Sequence, residues 1–115
     1  MAYKVSLTRP AEADAYAAYD YIRENAPLSA DKWLIGLFAA IKTLSEMPSR
    51  CPVIPEAAEF GHIARHLIHG KKAVAYRIIY DIAEEHGESP HVRVLRIWRA
   101  SRDALTMADI EDALD

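Results

Sequence analysis

Residues 73–82, AVAYRIIYDI, constrain the fold more than any other stretch of this chain. Tyr76 and Ile78 alternate with Arg77 and Ile79, and β-branched and aromatic side chains dominate both sets without an intervening glycine or proline. This pattern predicts a strand in the interior of a β-sheet. Arg77 most needs an explanation, because an arginine within an apolar strand requires an anionic partner or an open cavity.

Two further strand patterns flank this segment. Residues 63–69, IARHLIH, precede it across a three-residue connection, and residues 91–99, HVRVLRIWR, follow it after the polar stretch 84–90. Short connections of this kind join antiparallel strands. The sequence therefore predicts a three-stranded meander with residues 73–82 in the middle.

The N-terminal half predicts a strand followed by a helical hairpin. Residues 3–8, YKVSLT, alternate as a short strand, and Thr8 is placed to cap a helix that ends near Asn25. A second helix, over about residues 30–47, is predicted to begin after Ser29 as its cap and to end at Pro48. Because the link is short, the two helices are expected to form an antiparallel hairpin.

The remainder of the chain adds a loop and a tail. Residues 48–61 contain three prolines, and we predict neither helix nor strand there. Thr106 and Asp109 resemble a capping box at the start of a short helix over 106–114. The expected fold is α+β, a small antiparallel sheet of the N-terminal strand and the meander, packed against the hairpin. We predict one domain over 1–115, with a core at 1–103 and an acidic helical tail at 104–115.

Charge is distributed unevenly along the chain. The net charge is −3, yet the predicted sheet is locally basic. All of the charged residues after Arg102 are acidic. We expect the tail carboxylates either to fold back over the basic sheet or to pair with a partner; they are Asp109, Glu111, Asp112 and Asp115. The negative total argues against a protein whose whole surface binds nucleic acid.

Several classes of protein are disfavoured by composition. The single cysteine, Cys51, excludes a disulfide framework within the chain and a cysteine metal cluster. His66 and His69 lie three apart on a predicted strand and so face opposite sides, which spoils chelation. No catalytic triad order or phosphate-binding loop is present. With no apolar run of spanning length and no signal-like N-terminus, we expect a cytoplasmic protein without membrane association, metal or cofactor.

A basic site is predicted on the face of the sheet turned away from the hairpin. If the last strand alternates strictly, Leu95 and Ile97 face the core, and Arg96 and Trp98 share the open face. The sequence does not determine on which face of the sheet the Arg77 side chain lies. On the same face as Arg96, Arg77 would converge with Arg96 and Arg65, with Tyr76 or Tyr80 at the rim. Such a cluster suits a phosphodiester, a base or a partner's carboxylates.

The order of these segments resembles the RelE/ParE family, the toxins of bacterial type II toxin–antitoxin modules. The matching pieces are YKVSLTRPAEAD, AYDYIRENAP, LSEMPSRCPVIPE, RHLIHGKKAVAYRIIYDI and VRVLRIWRASRD, which together span about residues 3–103. The resemblance implies a small antiparallel sheet with a two-helix hairpin. It also implies an antitoxin whose C-terminal segment wraps the toxin, and hence a toxin–antitoxin hetero-oligomer.

The resemblance implies two activities. RelE-like members cleave mRNA on the ribosome, using sheet arginines and lysines for the phosphate and often a C-terminal His or Tyr for proton transfer, whereas ParE-like members poison DNA gyrase. Arg77 and Arg65 match basic positions of the nucleases. Trp98 stands where many members have a His, and no Tyr follows Arg102, so the terminal acid or base is missing. The ParE-like, non-enzymatic activity is therefore favoured, with the ribonuclease and an inactive toxin-like binding module as alternatives.

The candidate site residues form three groups. If the chain is a nuclease, the catalytic candidates are Arg65, His66, Arg77, Tyr80 and Arg96, with His69 as a further proton-transfer candidate. The target-binding candidates are Arg65, Tyr76, Arg77, Arg96, Trp98, Arg99 and Arg102. The antitoxin-binding candidates are Tyr16, Trp33 and Phe38.

Overall fold

A computed structural model describes residues 2–83, 90–102 and 104–114. Its regular elements are listed here in chain order: β1 (Lys4–Leu7), α1 (Arg9–Asn25), α2 (Pro27–Lys42), α3 (Ala57–Phe60), β2 (Arg65–His69), β3 (Tyr76–Ala83), β4 (His91–Arg99) and α4 (Met107–Leu114). Short 3₁₀ turns occupy Thr43–Ser45, Pro48–Arg50 and Lys72–Val74. The predicted α+β class is confirmed, and the predicted connection at residues 84–89 lies outside the described residues.

The helical hairpin forms as predicted, but both boundaries of the second helix are corrected: it ends at Lys42, followed by a 3₁₀ turn, rather than at Pro48. Thr8 caps α1 through its hydroxyl, which accepts a hydrogen bond from the Ala11 amide at 3.1 Å. The second helix begins at Pro27 rather than after Ser29, and no side chain caps it. Proline suits the first turn of a helix because its missing N–H would have no partner there. This leaves Ala26 alone between the two helices.

The sheet is mixed rather than wholly antiparallel. Its strand order is β1-β4-β3-β2, so the predicted meander is present with β3 next to both of its neighbours. The N-terminal strand lies parallel to β4, pairing Lys4 with His91 and Leu7 with Val94. The central strand begins at Tyr76, three residues later than predicted, because the chain first turns through Lys72, which has a φ of 54°.

A β-bulge in β4 changes which side chains share a face. Tyr80 lies opposite Val94, but Ile79 lies opposite Arg96, so Leu95 is the extra residue between them. The strict alternation predicted for this strand is therefore wrong. Leu95 and Ile97 belong to different cores rather than to one.

The face of the sheet next to the hairpin carries the larger core. Small residues of α1, including Ala11, Ala15 and Ala18, bring this helix close to the sheet. The sheet contributes alternate residues of β3 and β4, and α2 contributes its apolar stripe. The buried members on these three elements are Trp33, Leu37, Ile41, Tyr76, Ile78, Tyr80, Val92, Val94 and Ile97.

The opposite face of the sheet is covered, where an open face was predicted. A second core joins Ile79, Leu95 and Trp98 of the sheet to α3, α4 and the segment that follows β4. Residues 48–61, for which neither helix nor strand was predicted, contain a 3₁₀ turn and α3, and Val53 forms a β-bridge with Arg65. The covering residues are Ile54, Ala57, Phe60, Ala64, Leu105, Ile110 and Ala113.

The acidic tail folds back over the sheet through its apolar side. The predicted capping box is present, because the Thr106 amide donates to Asp109 Oδ2 at 2.8 Å and the Asp109 amide donates to Thr106 Oγ1 at 3.4 Å. Ile110 and Ala113 are buried beneath α4. Asp115, one of the carboxylates in the prediction, lies outside the described residues.

Candidate functional site

The three arginines predicted to converge lie apart. Arg65 is opposite Tyr80 in the sheet register and so belongs to the hairpin face, whereas Arg77 is opposite Trp98 and belongs to the second face. Arg96 extends past the end of β1 to reach α1. The predicted cluster is therefore wrong, because the pleat and the bulge direct the three side chains to three different surroundings.

Arg77 is held by a carboxylate from the proline-rich segment. Its two terminal nitrogens each donate to one oxygen of Glu56 at 2.9 Å, which is a bidentate ion pair. Arg77 is 11% exposed and Glu56 8%. The Leu105 amide also donates to Glu56, at 3.1 Å, so this carboxylate joins the sheet to the segment that leads into α4.

The Arg77 pair perturbs the acid–base chemistry around it. The hydrogen bonds from Arg77 lower the pKa of Glu56 from 4.5 to about 2, against the effect of burial. Burial and the charge of Arg77 lower the pKa of His66. Arg77 Nε donates to His66 Nδ1 at 3.0 Å, which places the proton of the neutral ring on Nε2.

Arg96 binds Asp14 of α1 rather than facing an open surface. Its Nε and one terminal nitrogen donate to the two carboxylate oxygens at 2.7 and 2.9 Å. The other terminal nitrogen donates to the Asp109 carbonyl at 3.1 Å, and the Ile97 amide donates to Asp14 at 3.1 Å. The hydrogen bonds to Asp14 raise the pKa of Arg96. Arg96 therefore links α1, β4 and α4.

Arg65 and Tyr80 have structural partners near the proline-rich segment. Arg65 donates to the carbonyl oxygens of Ser49 at 3.2 Å and Cys51 at 2.7 Å. Tyr80 is fully buried, its hydroxyl donates to the Pro48 carbonyl at 2.5 Å, and burial raises the pKa of the phenol. Tyr80 is thus inside the hairpin core, and the prediction that it lies at the rim of a site is wrong.

The predicted binding aromatics are also packed. Tyr76 is buried in an edge-to-face contact with Trp33, their ring centroids 5.0 Å apart. Trp98 is buried in the second core, and the guanidinium carbon of Arg102 lies 3.8 Å from its ring centroid. Neither ring is available as an exposed stacking platform.

Arg99 and Arg102 remain at the surface and border a small cavity, which we call the Arg99 pocket. Its volume is about 270 Å³. Its walls come from α1 and from the end of the sheet, and include Ala17, Tyr21, Tyr76 and Ile97. The guanidinium carbon of Arg99 lies 5.2 Å from the centroid of the Tyr21 ring, within cation–π range. No sequence pattern brought Tyr21 and Ala17 to this pocket, because both lie on the outer side of α1.

A second cavity, the Arg77 pocket, lies on the other face of the sheet and has a volume of about 530 Å³. Glu56, His66 and Arg77 line it, with Glu59 and Arg102. Glu56 already occupies the bidentate edge of Arg77, so an incoming anion would have to displace a buried carboxylate. Within the described residues, no three His, Cys, Asp or Glu side chains lie close enough together to hold a metal ion.

The comparison with protein families matches residues 5–104 to the ParE toxin of the type II toxin–antitoxin system parDE. That match covers most of the chain. The protein belongs to the ParE toxin family. No curated protein matches it. Among solved structures, it is similar to the chromosomal ParDE TA system from P. aeruginosa, with a TM-score of 0.64 and 20% identity, over 84% of this chain and 95% of that one. At this identity the likeness concerns the fold.

The candidate antitoxin-binding residues of this ParE-family chain are not equally accessible. Tyr16 is 50% exposed and Phe38 36%, whereas Trp33 is only 7% exposed. Trp33 donates from its indole to the Val74 carbonyl at 3.1 Å, so it fastens α2 to the turn before β3. That these three residues contact the antitoxin stays a prediction. Because Trp33 is buried, it would support such a surface from below by packing rather than by direct contact.

Exposed apolar residues that the sequence pattern missed surround Trp33. Leu28 and Ile35 are largely exposed on α2, and a cavity of about 460 Å³ lies between that helix and the end of β2. Gly36 allows the close approach there, because an added Cβ would lie 2.9 Å from His69 Cε1. The sequence could have indicated this surface, because Ile35 is an apolar residue that falls outside the buried stripe of α2. No helix within the described residues is long and apolar enough to cross a membrane.

Proposed function

We propose that this chain is the toxin of a type II toxin–antitoxin module, that it inhibits DNA gyrase in the cytoplasm through protein–protein contacts, and that a cognate antitoxin neutralises it. The observation that carries this proposal is that the nuclease candidates are engaged by the chain itself. Glu56 holds Arg77, Asp14 holds Arg96, and backbone carbonyls hold Arg65.

Catalysis of phosphodiester cleavage requires cationic groups or hydrogen-bond donors that are available to the negative charge developing in the transition state. A bidentate carboxylate neutralises each of two candidate arginines, and buried pairs of this kind are costly to break. The candidate tyrosine is enclosed in the hairpin core. The family match at residues 5–104 supports the same conclusion from an independent direction.

The ribosome-dependent endoribonuclease is the second candidate, and one observation favours it. His66 lines the Arg77 pocket, and burial lowers the pKa of its ring, which favours the neutral form that a general base requires; Arg77 Nε would have to release the Nδ1 lone pair first. Under this alternative, Arg77→Ala would abolish cleavage. The third possibility, an inactive binding module, would bind antitoxin without arresting either pathway.

Pulse labelling in the minutes after induction without antitoxin separates these functions. If DNA synthesis falls first while translation continues, and the purified chain inhibits supercoiling by gyrase, the gyrase proposal is supported. If translation stops first, the ribonuclease replaces it, and mRNA cleavage should then depend on Arg77 and His66. If neither pathway slows at a verified level of soluble protein, the gyrase proposal is wrong.

A further inference from the structure

The Arg99 pocket holds two positive charges that no carboxylate of the described residues neutralises. Across the described residues, neither Arg99 nor Arg102 forms an ion pair with a carboxylate, whereas Arg77 and Arg96 each have a bidentate one. Arg99 is the last residue of β4, and Arg102 lies three residues further along the chain. Positive charge is therefore concentrated at one end of the sheet and left available to a second molecule.

Aromatic rings hold the two guanidinium groups in place. Arg99 lies over Tyr21 and Arg102 lies over Trp98, at 5.2 and 3.8 Å from the ring centroids. A guanidinium that uses its face for an aromatic ring keeps its N–H edge free for a planar acceptor. Such an arrangement reduces the side-chain entropy that would be lost on binding.

Among the described residues, Asp14 is the one carboxylate that lines the pocket, and its ion pair is with Arg96 rather than with Arg99 or Arg102. Both of its oxygens accept hydrogen bonds from Arg96, and one also accepts from the Ile97 amide. The negative charge of Asp14 is thus neutralised by Arg96, which does not line the pocket. An incoming anion meets Arg99 and Arg102 without having to displace an internal partner.

The size of the pocket limits what can enter it. A volume of about 270 Å³ lies below the range of about 300–1,000 Å³ that is usual for small-molecule sites. The small side chains of Ala17 and Ala18 on α1 line the pocket together with two tyrosines, Tyr21 and Tyr76. A single side chain fits such a pocket. The net charge of −3 gives nucleic acid no long-range attraction to the molecule as a whole.

We propose that the Arg99 pocket binds an aspartate or glutamate side chain of the antitoxin, with Arg99 and Arg102 as the residues that receive the carboxylate. This inference rests on the proposed function, because it takes the antitoxin as the partner. The site shares Arg102 with the Arg77 pocket and differs from it in its other lining residues; in the Arg77 pocket, Glu56 already supplies the carboxylate. The carboxylate would complete, between two proteins, the pairing that Glu56 and Asp14 provide within one.

The first test compares antitoxin binding by three forms of the toxin: the wild type, a double arginine variant and a control variant. Charge-assisted hydrogen bonds contribute enough that Arg99→Gln with Arg102→Gln should lower affinity for the protein encoded with this toxin in its module by about tenfold or more. Lys4→Gln is the control for loss of a positive charge away from the pocket, since Lys4 is exposed and lies opposite His91 at the far end of β4. It should bind as the wild type does. Thermal melting of each variant establishes that it is folded.

A second pair of variants tests the pocket without removing either arginine. Ala17 is exposed on the pocket wall. Ala17→Glu would supply a competing carboxylate from within, and Ala17→Gln fills the same space without charge. The glutamate variant should weaken antitoxin binding more than the glutamine variant. Equal weakening by the two would mean that shape and not charge governs the site, and would overturn the proposal.

A peptide titration tests the site independently of the antitoxin. A blocked hexaglutamate peptide should shift the NMR signals of Arg99 and Arg102 Nε, whereas hexaglutamine should not. The Nε signals of Arg77 and Arg96 serve as internal references, because both groups are already bonded. The absence of a shift at Arg99 and Arg102 would overturn the site.

The outcomes separate this inference from the proposed function. If the wild-type complex forms and the double variant binds as tightly, the inference is wrong and the proposed function stands. If the double variant instead loses affinity for a DNA or RNA duplex and keeps it for the antitoxin, the pocket takes phosphate and the inference is again wrong. If the wild type does not bind the antitoxin, the proposed neutralisation fails, and the peptide titration still decides whether the pocket accepts carboxylates.

Discussion

Replacing Glu56 by glutamine removes the negative charge from a buried ion pair while nearly preserving the shape of the side chain. Glu56 accepts from both terminal nitrogens of Arg77 and from the Leu105 amide, and it is 8% exposed. Glutamine can keep an oxygen for one of these donors. It leaves the Arg77 charge without its counterion in a setting largely closed to water.

The expected magnitude follows from the pKa of Glu56. The hydrogen bonds from Arg77 lower this pKa from 4.5 to about 2, and at about 1.4 kcal/mol per pH unit the difference corresponds to about 3 kcal/mol of stability near pH 7. Because the folded-state pKa is the lower one, this stability is fully present above about pH 5 and is lost as the pH falls towards 2. Glu56→Gln should therefore lower the free energy of unfolding by about 3 kcal/mol at pH 7.

Urea unfolding followed by tryptophan fluorescence, repeated from pH 7 down to pH 3, measures this difference. The gap between the wild type and Glu56→Gln should be constant from pH 7 to about pH 5 and should narrow below that. Glu59→Gln, at an exposed position of α3, the short helix that Glu56 immediately precedes, is the matched control and should differ little from the wild type. A gap under about 1 kcal/mol at pH 7, or one that stays constant to pH 3, would refute the reasoning.

Three further substitutions test the hairpin core, the turn before β3 and the second core by the same unfolding assay. Tyr80→Phe should cost about 1 kcal/mol, since it leaves the buried Pro48 carbonyl without its donor, and no loss would argue against that bond. Gly70→Ala should cost more than about 1 kcal/mol, because Gly70 has a φ of 88° and an added Cβ would lie 2.0 Å from the Val74 carbonyl oxygen. Ile110→Ala should cost about 2–5 kcal/mol by opening a cavity beneath α4, whereas a cost near zero would mean that α4 does not pack as described.

Local chemistry predicted the elements that depend on neighbours in sequence. Thr8 caps α1 through a residue three positions away, and Thr106 and Asp109 cap α4 in the same manner. The strand character of β3 and its central place follow from alternation within one segment and from short connections on both sides. These features require no knowledge of distant residues.

The candidate site was harder to predict because its determinants are distant in sequence. Glu56 comes from a segment with no strong pattern, and its partner Arg77 lies 21 residues away along the chain. Asp14 meets Arg96 across 82 residues. An arginine on a strand shows that an anion is needed nearby, but its sequence does not say which acid supplies it. The predicted open face was wrong for a related reason, since the apolar side of α4 had no partner assigned to it.

The extra residue Leu95 in β4 has a consequence for comparing this toxin with its relatives. Before it, even-numbered residues such as Val94 face the hairpin; after it, odd-numbered residues such as Ile97 and Arg99 do so. A relative that lacks this extra residue would keep the equivalents of Ile97 and Arg99 on the hairpin side, provided that its alignment with this chain places the gap at Leu95. An alignment that puts its gap a few positions away would still score well and would exchange the buried and exposed sets. Positions 96–102 should therefore be compared only after the bulge itself has been aligned.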